Sequence, residues 1–347
     1  MIDVTSMTTT EKNGFAMGAN SPYSNHFPGK SVEGARSKDE ALAMGSADFE
    51  VASRPLFSTL DSDPTGMLDG SIDIGYPEHK GIYRTDSGAS LGVVGVDYEP
   101  IQVSEAFEVA DDLIVQGHIE PLGVHVKDGG QSVRLFSRIG GCELDQLTES
   151  GGTERDSLGH FLDMRTGHTG KDGIEFALYT IRLRCLNGMT SRTREAYFSI
   201  RHTRNARSRL QQANEAIKRI HRAAQAEAQT FGAMAQAPMT TWNFRQFAEG
   251  LLNLSRGELN NDSTQNARTR RDNDLSTLMA NFVSGEGNHG ASKYDAYNSI
   301  TQWLTPDRDS FADPLKFEKK WESQSSGNAN KLKGDALQLL VTERYAN

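Results

Sequence analysis

The 347-residue sequence has only two cysteines, Cys142 and Cys185, and no long hydrophobic run. Two cysteines are too few for a disulfide scaffold or a cysteine zinc site, so we expect a protein of the reducing cytoplasm. No stretch approaches the roughly 18 apolar residues of a membrane-spanning helix, so no membrane association is expected. Residues 1–12 lack a basic region followed by an apolar one, so we predict no secretory signal.

Catalytic signatures are also scarce. Neither a His-Glu-x-x-His zinc motif nor a Gly-x-Ser-x-Gly nucleophile turn occurs. Residues 167–172 resemble a phosphate loop, but Arg165 replaces its first glycine and Asp172 follows Lys171 where Ser or Thr is needed. We therefore expect no nucleotide hydrolysis, no cofactor and no enzyme activity. A metal-dependent nuclease using His168, Asp172 and nearby acids is a minor alternative.

Charge is unevenly distributed along the chain. The net charge is −9, but residues 1–150 hold 10 basic and 24 acidic residues (−14), whereas residues 151–347 hold 27 and 22 (+5). Residues 181–225 alone contain 11 basic residues against two acids, Glu195 and Glu215. Such separation of charge indicates a polyanionic partner, although a basic helix on an ordinary solvated surface has the same composition.

Periodicity and turn residues predict an α+β fold, with an antiparallel β-hairpin sheet packed against helices and followed by a helical C-terminal region. We predict a flexible N-terminal arm over 1–48, an α+β core with a long basic helix over 49–235, and a helical region over 236–347. Residues 49–77 are interpreted as an irregular lead-in. The predicted strands cover 82–85, 91–98, 119–126, 132–139, 174–186 and 197–201. The predicted helices cover 104–116, 204–231, 242–254, 275–283, 293–304 and 332–345, with a loop at 260–274.

Alternation along two strands places arginines beside aromatic residues. On strand 132–139 one face carries Arg134, Phe136 and Arg138. On strand 174–186 one face carries Arg182 and Arg184. An exposed face of this composition suits single-stranded nucleic acid, since cations meet phosphates and rings stack on bases. The alternative is a face covered by helices, with its arginines paired to acids.

The predicted helix 204–231 has two distinct faces. At about 100° per residue, its apolar residues fall in one stripe, and four cations cluster roughly opposite them. The stripe consists of Leu210, Ala213, Ile217, Ile220 and Ala224, and the cations are Arg204, Arg207, Lys218 and Arg222. Because few acids interrupt this region, the basic face is expected to follow phosphates.

A set of short stretches spaced along the chain carries a family resemblance, namely Tyr83-Arg84-Thr85-Asp86, Leu91 to Gly95, Tyr98 to Gln102, Glu105-Ala106-Phe107, His168 with Lys171-Asp172-Gly173, Ile181 to Met189, and Ile200-Arg201-His202-Thr203. Together these stretches resemble the phage- and plasmid-borne family known as domain of unknown function 932. The resemblance covers about residues 80–235 and implies a mobile-element context. The order of strands and helices in this family is similar to that of phage single-strand annealing proteins. Those proteins form rings or filaments on DNA without nucleotide hydrolysis.

Together these patterns favour a protein that binds and anneals single-stranded DNA in phage or plasmid recombination. We expect a homo-oligomer in which the acidic part of one subunit meets the basic block of the next. An alternative is a non-enzymatic protein that binds a host protein, as an anti-defence or takeover factor. The predicted DNA-binding residues are Arg134, Phe136, Arg138, Arg182, Arg184, Arg192, Arg194, Arg201, Arg204, Arg207, Lys218 and Arg222.

Overall fold

A computed structural model describes residues 27–60, 72–183, 196–260, 263–305, 319, 322–323 and 327–342. It confirms the α+β class, with antiparallel strands and C-terminal helices. Among the described residues no helix is long and apolar enough to cross a bilayer.

The segment from Phe27 to residue 48 is packed, so the prediction of a flexible arm is wrong for this part. Strand β1 (Lys30–Ser31) pairs with a central strand, and helix α1 (Lys38–Met44) follows. The backbone N–H of Lys38 donates to Asp111 Oδ1 at 2.9 Å, which ties α1 to the core. The apolar side chains that anchor the segment are Phe27, Val32, Ala35, Ala41, Leu42 and Ala47, all buried. Residues 1–26 lie outside the described residues.

A three-stranded antiparallel sheet occupies the region predicted as an irregular lead-in. Its order is β2-β3-β4, and the hairpin between β3 and β4 is the one predicted around residues 86–88. Pro55 and Gly75 obscure the strand pattern in the sequence, and the register shifts between Pro55 and Phe57. The strands are β2 (Val51–Leu60), β3 (Ile72–Arg84) and β4 (Ser90–Gly95).

A second sheet of six strands has the order β1-β5-β6-β7-β8-β9. From β5 onward each strand lies beside the next in sequence, and the connections from β5 to β8 are short, as in hairpins. The predicted strands at 119–126, 132–139, 174–186 and 197–201 are confirmed in outline, whereas the strand at 153–167 was not foreseen. The strands are β5 (Glu120–Lys127), β6 (Ser132–Leu147), β7 (Thr153–Gly167), β8 (Ile174–Arg182) and β9 (Tyr197–Ile200).

The helices follow the predicted order with three differences. The helix predicted over 104–116 is broken at Phe107, the helix predicted over 204–231 is divided near residue 211, and the loop predicted over 260–274 is largely helical. This last helix begins because the Thr264 side chain accepts from Ala267 N at 3.2 Å. The helices are α2 (Val103–Ala106), α3 (Glu108–Val115), α4 (Ala206–Leu210), α5 (Ala213–Gln236), α6 (Thr241–Arg256), α7 (Gln265–Ser284), α8 (Lys293–Leu304) and α9 (Asn328–Thr342).

Contacts divide the chain into two compact units that do not follow the predicted boundaries at 48 and 235. Unit 1 comprises 1–137, 163–176 and 198–217, and unit 2 comprises 138–162, 177–197 and 218–347. Unit 2 has an aromatic core between its helices, in which the rings of Phe244 and Phe282 stack at 4.3 Å. The predicted α+β core therefore contributes strands to both units.

Candidate functional site

The arginine and aromatic face predicted on β6 lies in the core of unit 1. Arg134 is buried, and its Nη1 lies 3.0 Å from Oδ2 of the equally buried Asp163. The Phe136 ring is fully buried and stacks on Phe27 at 4.5 Å. Arg138 is half-buried and belongs to unit 2, and its role in DNA binding stays a prediction. The prediction that Arg134 and Phe136 line an exposed face is wrong, because the N-terminal segment covers it.

Arg182 is a fully buried structural residue of unit 2, so its predicted exposure is also wrong. Its guanidinium lies 5.1 Å from the ring centre of Tyr294, whose hydroxyl donates to Asp156. All five of its N–H donors are therefore used inside the protein. The acceptors are Asp156 Oδ2 (2.5 Å), Asn288 Oδ1 (2.8 Å), Gln146 Oε1 (2.9 Å) and the carbonyl oxygens of Glu286 (3.3 Å) and Gly287 (2.6 Å).

Three further predicted DNA-binding residues, Arg184, Arg192 and Arg194, lie outside the described residues. Their role stays a prediction.

The predicted cations of α4 and the residues before it are exposed in unit 1. Arg204 is 82% exposed, yet its Nη2 lies 2.9 Å from Asp97 Oδ1. Arg207 pairs with Glu99 and, through Nε at 2.6 Å, with Glu105. Acids of the N-terminal part thus meet these cations within one chain, whereas the expected contact between subunits stays a prediction. Arg201 is also exposed, and its role in DNA binding stays a prediction.

Helix α5 has the packing stripe that the sequence predicts. Ala213, Ile217, Ile220 and Ala224 are buried, and Leu210 just before the helix is half-buried. Beside this stripe, Lys218, Arg219 and Arg222 are exposed in unit 2. We call these three residues the cation face. Lys218 and Arg222 were predicted as DNA-binding residues, whereas Arg219 was not.

A cavity of about 620 Å³ opens beside the cation face in unit 2. One face of α5 forms a wall of it, since six lining residues recur every three or four positions along the helix. The remaining walls come from Leu178 of β8, Ala196 and Leu337 of α9. The α5 residues are Arg219, Arg222, Ala223, Ala226, Glu227 and Thr230.

Glu227 gives this cavity a titratable group. Thr180 Oγ1 donates to the Glu227 carboxylate and lies 2.9 Å from His160 Nδ1. Burial raises the pKa of Glu227 to about 7, and the Thr180 hydrogen bond offsets only part of this effect. Burial, with a smaller contribution from His221, lowers the pKa of His160 to about 4. The carboxyl therefore exchanges between neutral and charged forms near neutral pH, beside a neutral histidine.

Replacing Glu227 with glutamine should change how stability depends on pH. The folded-state pKa is raised to about 7 from 4.5, so the wild type loses stability as pH rises through this range. The glutamine side chain carries no charge, and we expect the stability advantage of the variant to grow by on the order of 2 kcal/mol between about pH 5 and about pH 8. Urea unfolding at both pH values measures this. Glu258→Gln, at an exposed position, is the matched control. An advantage that stays constant with pH would contradict the buried carboxyl.

The residues proposed for the nuclease alternative lie in unit 1 without forming a ligand set. His168 is fully buried, and its ring centre lies 6.1 Å from that of His202. Burial, then the neighbouring His202, lowers the pKa of His168 to about 4. The Asp172 carboxylate is paired with Arg165. The described part of the chain contains no group of three or more His, Cys, Asp or Glu side chains arranged to hold a metal ion.

Cys142 is not an activated thiol. Burial raises the pKa of its thiol, and the carboxylates of Glu227 and Asp156 add to the effect. A nucleophilic cysteine needs the opposite shift.

Several stretches that carry the family resemblance pack closely against one another in unit 1, namely those around Gly92, Thr169, Gly173 and Ile200. A Cβ at Gly92 would lie 2.8 Å from the Cα of Thr169. A Cβ at Gly173 would lie 2.4 Å from the carbonyl oxygen of Ile200. Both positions need glycine for close backbone approach, so these stretches have a structural role.

Comparison with protein families extends the resemblance. A family model described as a domain of unknown function, DUF932, matches residues 90–333. This range includes the C-terminal helices, which the stretches identified in the sequence did not reach. Neither the curated proteins nor the solved structures contain a match. The chain therefore belongs to the family of the domain of unknown function 932.

Proposed function

We propose that this chain binds single-stranded DNA through the cation face of α5 and anneals complementary strands in phage or plasmid recombination. The observation that carries the proposal is the cation face itself. Lys218, Arg219 and Arg222 are exposed, and no acidic residue occurs between Lys218 and Ala226. Lys218 and Arg222 lie about 6 Å apart along the helix axis, so they reach neighbouring phosphates of one strand.

The mechanism needs no bond cleavage. Cations that neutralise the phosphates reduce repulsion between two strands while leaving base edges available for pairing. Subunits assembled on one strand would present it as a continuous template, which is why we keep a homo-oligomer in the proposal. Two complementary oligonucleotides that carry different dyes should anneal faster with the protein than without it, in the absence of ATP. Fluorescence energy transfer between the dyes measures the rate of annealing.

Binding is tested with fluorescein-labelled oligo(dT) and the wild-type chain. Three phosphate contacts predict a slope of about −2 for log affinity against log salt, since each contact in a single strand contributes about −0.7. The triple variant Lys218→Glu, Arg219→Glu, Arg222→Glu should weaken binding by at least about tenfold at low salt. Fluorescence anisotropy over a salt series gives both quantities.

A matched control keeps the same change in net charge. Arg245, Arg270 and Lys331 are exposed cations of unit 2 outside the cation face, and their joint replacement by glutamate should leave affinity nearly unchanged. Equal weakening by the two triple variants would show that only the overall charge matters. Failure of the wild type to bind oligo(dT) at low salt would refute the proposal.

A second candidate function is binding of a host protein, favoured by the small sheet of unit 1. Three large apolar side chains on β2 and β3 are exposed, namely Phe57 (58%), Ile74 (44%) and Tyr76 (45%). Exposed apolar patches of this kind occur at protein interaction sites. If this is the function, the cation-face triple variant would still bind the host protein, whereas replacement of Phe57 and Tyr76 would abolish that binding.

A further inference from the structure

The cavity beside the cation face has the size and construction of a ligand site. Its volume of about 620 Å³ lies within the roughly 300–1,000 Å³ typical of small-molecule pockets. Its walls are mainly apolar and come from Leu178, Ala196, Ala223, Ala226 and Leu337. Three secondary-structure elements contribute to it, so its shape is set by packing and not by one loop.

The polar groups of the cavity select among possible occupants. Arg219 and Arg222 belong to both the cation face and the cavity lining, so an anion bound there adjoins the apolar space. Glu227 and Thr230 add a carboxyl and a hydroxyl to the wall. Thr180 already donates to Glu227, and the Thr230 hydroxyl donates to the carbonyl oxygen of Ala226. An acyl chain would offer these groups no further hydrogen bond and would remove water from the carboxylate, which is costly. A flat ring with polar edges and an attached phosphate satisfies both kinds of group.

We propose that this cavity receives one unstacked nucleobase of the bound single strand, with Arg219 and Arg222 on the adjoining phosphate and Glu227 hydrogen-bonded to the base edge. The inference rests on the proposed function and adds a base contact to it. The pKa of Glu227 near 7 supports this role, because the carboxyl both donates and accepts hydrogen bonds at neutral pH. The apolar walls contact the faces of any base, so we expect little sequence preference.

The test compares oligo(dT) with an abasic oligomer of the same length, which keeps the phosphates but lacks the bases. The wild type should bind oligo(dT) at least about tenfold more tightly than the abasic oligomer. Ala226→Trp fills the cavity from α5 and should lower oligo(dT) affinity to the abasic level without changing abasic binding. Ala233→Trp, on the same helix but outside the cavity lining, is the matched control and should leave both affinities unchanged.

A second variant keeps the pocket testable if Ala226→Trp does not fold. Ala223→Leu makes a smaller change in the same wall, and it should lower oligo(dT) affinity to an intermediate level while thermal unfolding stays close to that of the wild type. If the Ala226→Trp chain unfolds, a reduced base-dependent gain in Ala223→Leu supports the pocket, and a gain as large as that of the wild type would refute it.

The outcomes separate the two proposals. A wild type that binds neither oligomer refutes both the function and the pocket. A wild type that binds both oligomers equally, with a steep salt dependence, keeps the proposed function and refutes the pocket. The cavity could also bind a free nucleotide instead of a base of the bound strand. Titration with free dTMP, measured by calorimetry, distinguishes these two ligands. Binding of dTMP that Ala226→Trp abolishes, without a base-dependent gain for oligo(dT), would assign the cavity to free nucleotides and overturn the strand proposal.

Discussion

Replacing Arg182 with methionine is expected to lower the free energy of unfolding by about 3–5 kcal/mol. The guanidinium is fully buried and pairs with Asp156, which is buried as well. Removing it leaves a carboxylate without its cation in the core of unit 2, together with several carbonyl oxygens that lose their donor. Chemical denaturation of the variant and the wild type measures the loss.

Two further variants make this test specific. Changing both partners, in Arg182→Met with Asp156→Leu, should recover much of the lost stability, because no charge then stays unpaired in the core. Arg201→Met, at an exposed arginine, should be nearly neutral. If Arg182→Met instead kept full stability and lost affinity for oligo(dT), the sequence-based role of Arg182 as a phosphate contact would be correct and the buried placement wrong.

Replacing Phe136 with alanine is expected to cost about 3–5 kcal/mol, the usual loss for a fully buried aromatic ring. The variant loses the stacking of Phe136 on Phe27 and leaves a cavity in its place. Because Phe27 anchors the N-terminal segment, this segment should pack less tightly on the sheet. Thermal and urea unfolding report the loss. Hydrogen exchange should show reduced protection of the backbone around β1 and α1.

The matched control for Phe136 is Phe57, which is 58% exposed in the same unit. Phe57→Ala should change stability by less than about 0.5 kcal/mol, as is usual for surface positions. Affinity for oligo(dT), corrected for the folded fraction, should not change in Phe136→Ala. Intact stability with weaker DNA binding would restore Phe136 to the role of a base-stacking residue.

Local pattern predicted much of the fold correctly. Turn residues at 86–88 and 127–130 identified two hairpins, and helical periodicity identified the helix over 293–304 and the buried stripe of α5. These features depend on interactions between residues close in sequence, such as the capping of α8 by Ser292 and Asp295. A single sequence therefore contains the information that determines them.

Strand β7 and the first half of helix α7, predicted as a loop, were missed because their stabilising partners are distant in sequence. In β7 both faces are buried along much of the strand, and the buried residues include Asp156, His160 and Asp163, which break the apolar pattern expected of a buried strand. Asp156 and Asp163 are compensated by Arg182 and Arg134 of neighbouring strands. In α7 the polar first turns are held by Arg256 of α6, whose Nη2 lies 2.7 Å from Asp274. Neither compensation is visible in a local window.

The alternation of side chains along a strand predicted which face Arg134 and Arg182 lie on, but not whether that face is buried or exposed. Whether such a face meets solvent depends on what packs over it, and this is decided by chain segments far away in sequence. The same holds for the cavity, whose α5 wall recurs at helical spacing but whose opposite wall comes from β8 and α9. Helical periodicity predicted Lys218 and Arg222 as site residues but did not identify Glu227, because its partner Thr180 lies on a distant strand.

The sequence by itself determined the α+β class, the main hairpins, the amphipathic α5 and the separation of acidic from basic segments. Only the tertiary structure decided that the N-terminal segment is packed, that two predicted DNA contacts are buried ion pairs, and that acids neutralise Arg204 and Arg207 within one chain. The physical reason is that secondary structure follows from short-range periodicity, whereas burial and charge pairing depend on which distant segments meet. The net charge of −9 by itself does not determine which cations are exposed and which are buried in ion pairs, because that depends on the folded chain.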